Sequence, residues 1–148
     1  MEDVRHYGFE VRRLDHVFAR NLEAKVREKG IDELTLMHGW IIRYLIENQD
    51  KDIYQKDIEK HCSIGRSTVT NILQLMEKNG FIYRESVEKD ARLKRIVPTK
   101  KAEALRPSIL YHINESEAQM TQGISKKDVA VCKQVLLQML QNLSENKL

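Results

Sequence analysis

The sequence predicts a mainly α-helical chain carrying one small β-hairpin, on three observations. Apolar residues recur at intervals of three and four along most of the length. A glycine at position 80 stops that rhythm, and two segments of strand composition with a polar stretch between them follow it. With 148 residues, the chain is long enough for one domain with its own core, or for a small domain plus helices that bury against a partner. Charged residues make up 32% and apolar residues 41%, a balance expected of a chain that folds in water. No apolar run approaches the roughly 18 to 20 residues that span a bilayer, and the first five residues lack the apolar core of a signal peptide. The expected setting is cytoplasmic, with no membrane partner.

From Val4 to Val26, the residues Val4, Tyr7, Val11, Leu14, Phe18 and Leu22 lay an apolar stripe along one side of a first helix. Thr35 is placed to cap a second helix running to about Asn48, whose broad apolar face holds Leu36, Met37, Trp40, Ile41, Tyr44 and Leu45. His38 and Gly39 carry no special meaning in that helix. A short helix from about Tyr54 to His61 has Ile58 as its buried position. Ser63, Ile64 and Gly65 then interrupt the pattern, and Val69, Ile72, Leu73, Leu75 and Met76 resume it. Gly80 closes this helix, because glycine takes up a left-handed conformation at little cost.

Phe81 to Val87 and Leu93 to Val97 read as strands joined by the polar tip Glu88-Lys89-Asp90-Ala91-Arg92. Thr99 caps a further helix from Lys100 to about Thr121, with a kink expected near Glu103 to Pro107 because proline removes a backbone donor and crowds the preceding turn. Gly123 ends it. Ser125, with Asp128 three residues later, opens a last helix whose stripe is Val129, Cys132, Leu136, Met139 and Leu143.

Helix, short helix, three-residue turn, helix and hairpin, in that order, spell a winged helix-turn-helix. Such a module lays the first residues of its second turn helix against base edges in the major groove, while the hairpin reaches the adjacent minor groove or backbone. The residue types suit both tasks. Arg66, Ser67, Thr68, Thr70 and Asn71 open the recognition helix. Arg66 matches guanine and Asn71 adenine in bidentate pairs, whereas Ser67, Thr68 and Thr70 suit phosphate oxygens or a thymine methyl. Serine, threonine and asparagine at a helix start also serve as ordinary caps, so the hairpin matters to the argument. Between Arg84 and Lys101 seven cations, Lys94 among them, face three anions, which leaves the remainder of this +3 chain slightly acidic. A basic segment on a nearly neutral body marks where a polyanion is met. Arg92 is the candidate for minor-groove insertion, where a narrow groove concentrates negative potential, and Asp90 is placed to orient it through an ion pair.

The chain resembles the MarR family, the multiple-antibiotic-resistance regulators, along essentially its whole length. The resemblance is most specific in Ser67-Thr68-Val69-Thr70, in Met76-Glu77-Lys78-Asn79-Gly80-Phe81-Ile82, at Arg84, in the wing sequence Asp90-Ala91-Arg92, and in Ile96-Val97-Pro98-Thr99. It implies an α-helical dimer with one winged helix per subunit, intertwined terminal helices and a wing arginine in the minor groove. Pro98 stands where the family usually has leucine, and Lys101-Ala102 where lysine-glycine is common. Some members sense oxidants through a cysteine in the first helix, but this chain has none before Cys62. Others bind phenolic ligands, which leaves room for a small-molecule effector of unknown identity.

On this reading residues 1–148 form one subunit, with a DNA-binding lobe at 32–99 and dimerisation helices at 1–30 and 100–148. Dimerisation also follows without the resemblance, since the terminal stripes hold more apolar surface than a small winged helix covers. The expected partners are a second copy and double-stranded DNA carrying a palindromic operator, with half-sites about 10 bp apart. Repression is the expected outcome. Cys62 and Cys132 read as small buried hydrophobes. The five histidines show no ligand spacing, so no metal or other cofactor is expected. Neither a nucleophile beside a base nor a phosphate-binding glycine loop appears, and no enzymatic activity is expected. A winged helix used to bind protein would carry an apolar or acidic recognition helix, unlike Arg66, Thr70 and Asn71.

Overall fold

The computed structural model describes residues 6–28 and 35–145; Val4 and the boundary expected between positions 30 and 32 lie outside them. Among these residues six helices and two strands follow in the order α1 (Tyr7–Glu28), α2 (Leu36–Glu47), α3 (Gln55–Cys62), α4 (Arg66–Lys78), β1 (Ile82–Val87), β2 (Asp90–Pro98), α5 (Lys100–Met120) and α6 (Lys126–Glu145). The chain divides into two compact units, one through Ile113 and one from Asn114. None of the described helices is long and apolar enough to cross a membrane.

The core of the first unit is built from the expected apolar faces. Ile41, Ile42 and Leu45 of α2, Ile58 of α3, and Val69, Leu73 and Met76 of α4 are buried together with Phe81, Ile82 and Ile96 of the hairpin region. Each such side chain, fully buried, contributes about 1.5 to 3 kcal/mol. Leu22 and Val26 bring the end of α1 into the same cluster, and Ala102, Ile109 and Ile113 bring α5. Leu75 departs from the expected face and is exposed, because its position on the α4 cylinder lies away from the buried line of Val69, Leu73 and Met76.

Caps set most of the helix ends. Thr35 Oγ1 accepts the His38 amide, and the Thr35 amide in turn donates to His38 Nδ1. His38 is buried, so the residue without special meaning in the sequence closes a capping box from inside the core. At Gly39 a Cβ would lie 3.4 Å from Ile109 Cγ2 of α5, at the edge of ordinary contact, so α2 and α5 pack closely there. Gly80 sits at φ +79° while its amide donates to Glu77 O and the Phe81 amide donates to Met76 O, the paired bonds of a Schellman motif. Thr99 Oγ1 accepts the Ala102 amide and Ser125 Oγ the Asp128 amide, as expected. Pro107 lies inside α5 without ending it, because the helix runs unbroken from Lys100 to Met120.

The hairpin is tighter than expected. β2 begins at Asp90, so only Glu88 and Lys89 form the turn, and the ladder slips between Ser86, paired with Lys94, and Val87, paired with Asp90. Ala91, Arg92 and Leu93 are therefore extra residues on one strand, a bulge that bends its edge. At the other end the Ile96 amide donates to Ile53 O at 2.7 Å, fastening the wing to the segment before α3.

In the second unit every residue of α6 from Ala130 to Ser144 is exposed. Its apolar stripe includes Leu136, Met139 and Leu143, and Cys132 on the same stripe is exposed rather than buried. The first half of α1 behaves alike, with Tyr7, Val11 and Leu14 exposed.

Candidate nucleic-acid interface

Chemistry on the first unit concentrates in a groove of about 520 Å³, lined by Tyr54, Gln55, Lys56 and Glu59 from the start of α3, Arg66 and Thr70 from α4, and Arg84, Arg92, Leu93 and Lys94 from the hairpin. Five cations against one carboxylate make it electropositive, and its low-dielectric walls focus that field outward.

The turn that opens α4 depends on Ser63, at φ +55° in the left-handed region, whose amide closes α3 by donating to Lys60 O. Gly65 caps α4 at φ −70°, an ordinary backbone angle, and a Cβ there would meet open space. With no side-chain cap, the first-turn amides of α4 remain open to an anion. Val69 is wholly buried and fixes the roll of the helix. Arg66, Ser67, Thr68 and Asn71 are consequently exposed, and Thr70 is half-buried.

Thr70 is held. Its hydroxyl donates to Arg66 O at 2.9 Å and accepts from Gln55 Nε2 at 2.8 Å. The single hydroxyl proton is therefore committed within the molecule, and of the two uses open to Thr70 the methyl contact is the one it retains.

The wing carries its cations in different states. Arg92, in the bulge, has a side chain 92% exposed, and its Nε lies 3.3 Å from Asp90 Oδ1. Asp90 Oδ1 also accepts the Arg92 amide, so the expected orienting pair is present. Lys94 Nζ donates to Ser86 Oγ on the neighbouring strand. Arg84 is paired with Glu77 of α4 at 3.1 Å, which ties the hairpin to the recognition helix. Arg95, counted in the basic segment, is largely neutralised: its guanidinium hydrogen-bonds Glu85 and Asp52, and those bonds push its pKa up.

Gln55, Lys56 and the Asp52–Arg95 link were not singled out in the sequence. Gln55 lies fifteen residues from Thr70, and only the helix-turn-helix geometry joins them. On the other side of α2, Tyr44 stacks on His61 with ring centroids 4.0 Å apart, beside Cys62. Burial pushes the Cys62 thiol up, which makes it a poor nucleophile at neutral pH. Among the described residues no group of three or more histidine, cysteine or acidic side chains is arranged to hold a metal ion.

The MarR family model matches residues 33–93. The crystal structure of the transcription regulator MarR from Oenococcus oeni PSU-1 is 31% identical, with 92% of this chain and 99% of that chain covered at a TM-score of 0.73. The S. aureus MepR–DNA complex is 25% identical over 94% of this chain and 98% of that one, with a TM-score of 0.82. A MarR-family regulator from Listeria monocytogenes complexed with 26mer DNA shares the fold at a TM-score of 0.81 and 17% identity, over 97% of this chain and 92% of that chain.

Proposed function

The chain belongs to the MarR family of winged-helix transcription regulators, and from that premise we propose that it binds double-stranded DNA as a homodimer and represses transcription from a palindromic operator. One observation carries this reading. The exposed start of α4 and the exposed Arg92 border the same electropositive groove, so a recognition helix and a wing tip face one partner together.

In this reading Arg66 and Asn71 contact base edges in the major groove, and Ser67, Thr68 and the uncapped amides of α4 contact phosphate. Arg92 enters the flanking minor groove with Asp90 holding it extended, while Lys94 and Arg84 meet the backbone. Residues 32–99 form the DNA-binding lobe, and 1–30 and 100–148 supply the dimer helices. Support for the dimer comes from the apolar stripes of α1 and α6, whose exposure in a single chain would be costly in water. The S. aureus MepR–DNA complex supports DNA as the partner. No step of this activity calls for catalysis or a cofactor, and a small-molecule effector would act by binding one conformation better than the other.

The test is the salt dependence of binding to a duplex selected by this protein from random-sequence DNA. Affinity is expected to fall on the order of 10³-fold or more between 50 and 200 mM salt if six or more phosphates are contacted. A flat response contradicts the proposal.

A further inference from the structure

Gln55 Nε2 carries two hydrogens, and both have acceptors: Thr70 Oγ1 at 2.8 Å and Arg66 O at 3.4 Å. Its position at the first turn of α3 is itself braced, since Asp57 Oδ2 accepts the Tyr54 amide. The Thr70 hydroxyl, donating to Arg66 O, is thus clamped from two sides and its rotamer fixed. A free threonine beside DNA can turn its hydroxyl to a phosphate or to the edge of any base, and so reads sequence poorly. A clamped one offers its methyl.

We propose that Gln55 is a specificity-positioning residue: by holding the Thr70 hydroxyl against the backbone of α4, it makes Thr70 read the C5-methyl of a thymine in the major groove. This inference rests on the DNA-binding function proposed above. It assigns to α3, which supplies no base contact in that reading, a part in choosing the base. The chemistry is apolar contact between two methyl groups, and a cytosine or a uracil at that position would leave the Thr70 methyl without its partner.

The experiment uses the full chain and the duplex that it selects from random-sequence DNA, with each thymine of one half-site replaced in turn by deoxyuridine. At one thymine, wild-type protein is expected to lose roughly fourfold in affinity, the worth of one buried methyl. Thr70→Val keeps the methyl and should keep that ratio, whereas Thr70→Ser keeps the hydroxyl and should lose it. Gln55→Ala, which cannot donate to Thr70 Oγ1, should bring the ratio close to one. Because Gln55 also lines the groove, the thymine-to-deoxyuridine ratio is read within each variant, apart from any change in overall affinity. A wild-type ratio retained in Gln55→Ala, or lost in Thr70→Val, overturns the proposal. So does a wild-type protein that binds its duplex but is indifferent to every thymine methyl, an outcome that leaves the DNA-binding function standing. Failure to select any duplex removes that function and this inference together.

Discussion

Arg66 and Arg92 carry the same charge but occupy different physical situations, and their removal should be distinguishable. Arg66 stands on a helix fixed by buried Val69 and Leu73, so a bidentate contact from it to guanine would be reproducible from one complex to the next. Arg66→Ala is expected to relax preference at one base pair per half-site, costing roughly 1 to 3 kcal/mol against the preferred base. In the proposed complex Arg92 would read groove width instead, because minor-groove edges distinguish little beyond A·T from G·C. Arg92→Ala should weaken binding across sequences and lower the salt slope by about one. Binding titrations on matched duplexes at several salt concentrations check both; equal loss on every sequence for Arg66→Ala would reduce that residue to a backbone contact. Neither change should alter the melting temperature much, since the Asp90–Arg92 pair is exposed and such pairs contribute only about 0 to 1 kcal/mol.

At the scale of elements, the ends of helices are where local chemistry decides. Gly80 holds φ +79° so that the Schellman bonds can turn the chain from α4 into β1. A side chain at that angle crowds its own backbone, and Gly80→Ala is expected to cost about 1 to 2 kcal/mol, with Gly80→Asn milder because asparagine tolerates the left-handed region. Denaturant unfolding would show this as a lower midpoint at unchanged slope, and an unmoved midpoint would contradict it. The same locality explains what was legible in the sequence. Thr35, Gly80, Thr99 and Ser125 act on backbone groups within a few residues, so pattern and residue type announced them. The bulge at Ala91–Leu93, the Ile53–Ile96 bond, the Asp52–Arg95 pair and the clamp of Gln55 on Thr70 depend on segments that meet only once the core has formed. His38 was missed for a related reason. Its capping bond is local, but a histidine on an apolar face reads as filler until its burial beside Thr35 is seen.

For the whole molecule, the exposed apolar faces of α1 and α6 and the basic groove on the first unit fit the proposed dimer, in which two copies would give DNA two grips related by symmetry. The exposure of Arg66, Ser67, Thr68 and Asn71 was legible in the sequence because they are polar residues set around the buried line of Val69 and Leu73, and that of Arg92 because it lies in a polar hairpin tip. The grouping of α3 with them was not, since its residues carry no motif. In the proposed complex the recognition helix and the wing grip two adjacent grooves in each half-site. Hydroxyl-radical footprinting of the selected duplex, with wild type and Arg92→Ala, tests it most directly. The expected result is a two-fold symmetric pattern with half-sites about 10 bp apart, in which Arg92→Ala loses only the outer, minor-groove protections. A single unsymmetric footprint, or protections unchanged by removing Arg92, would contradict it.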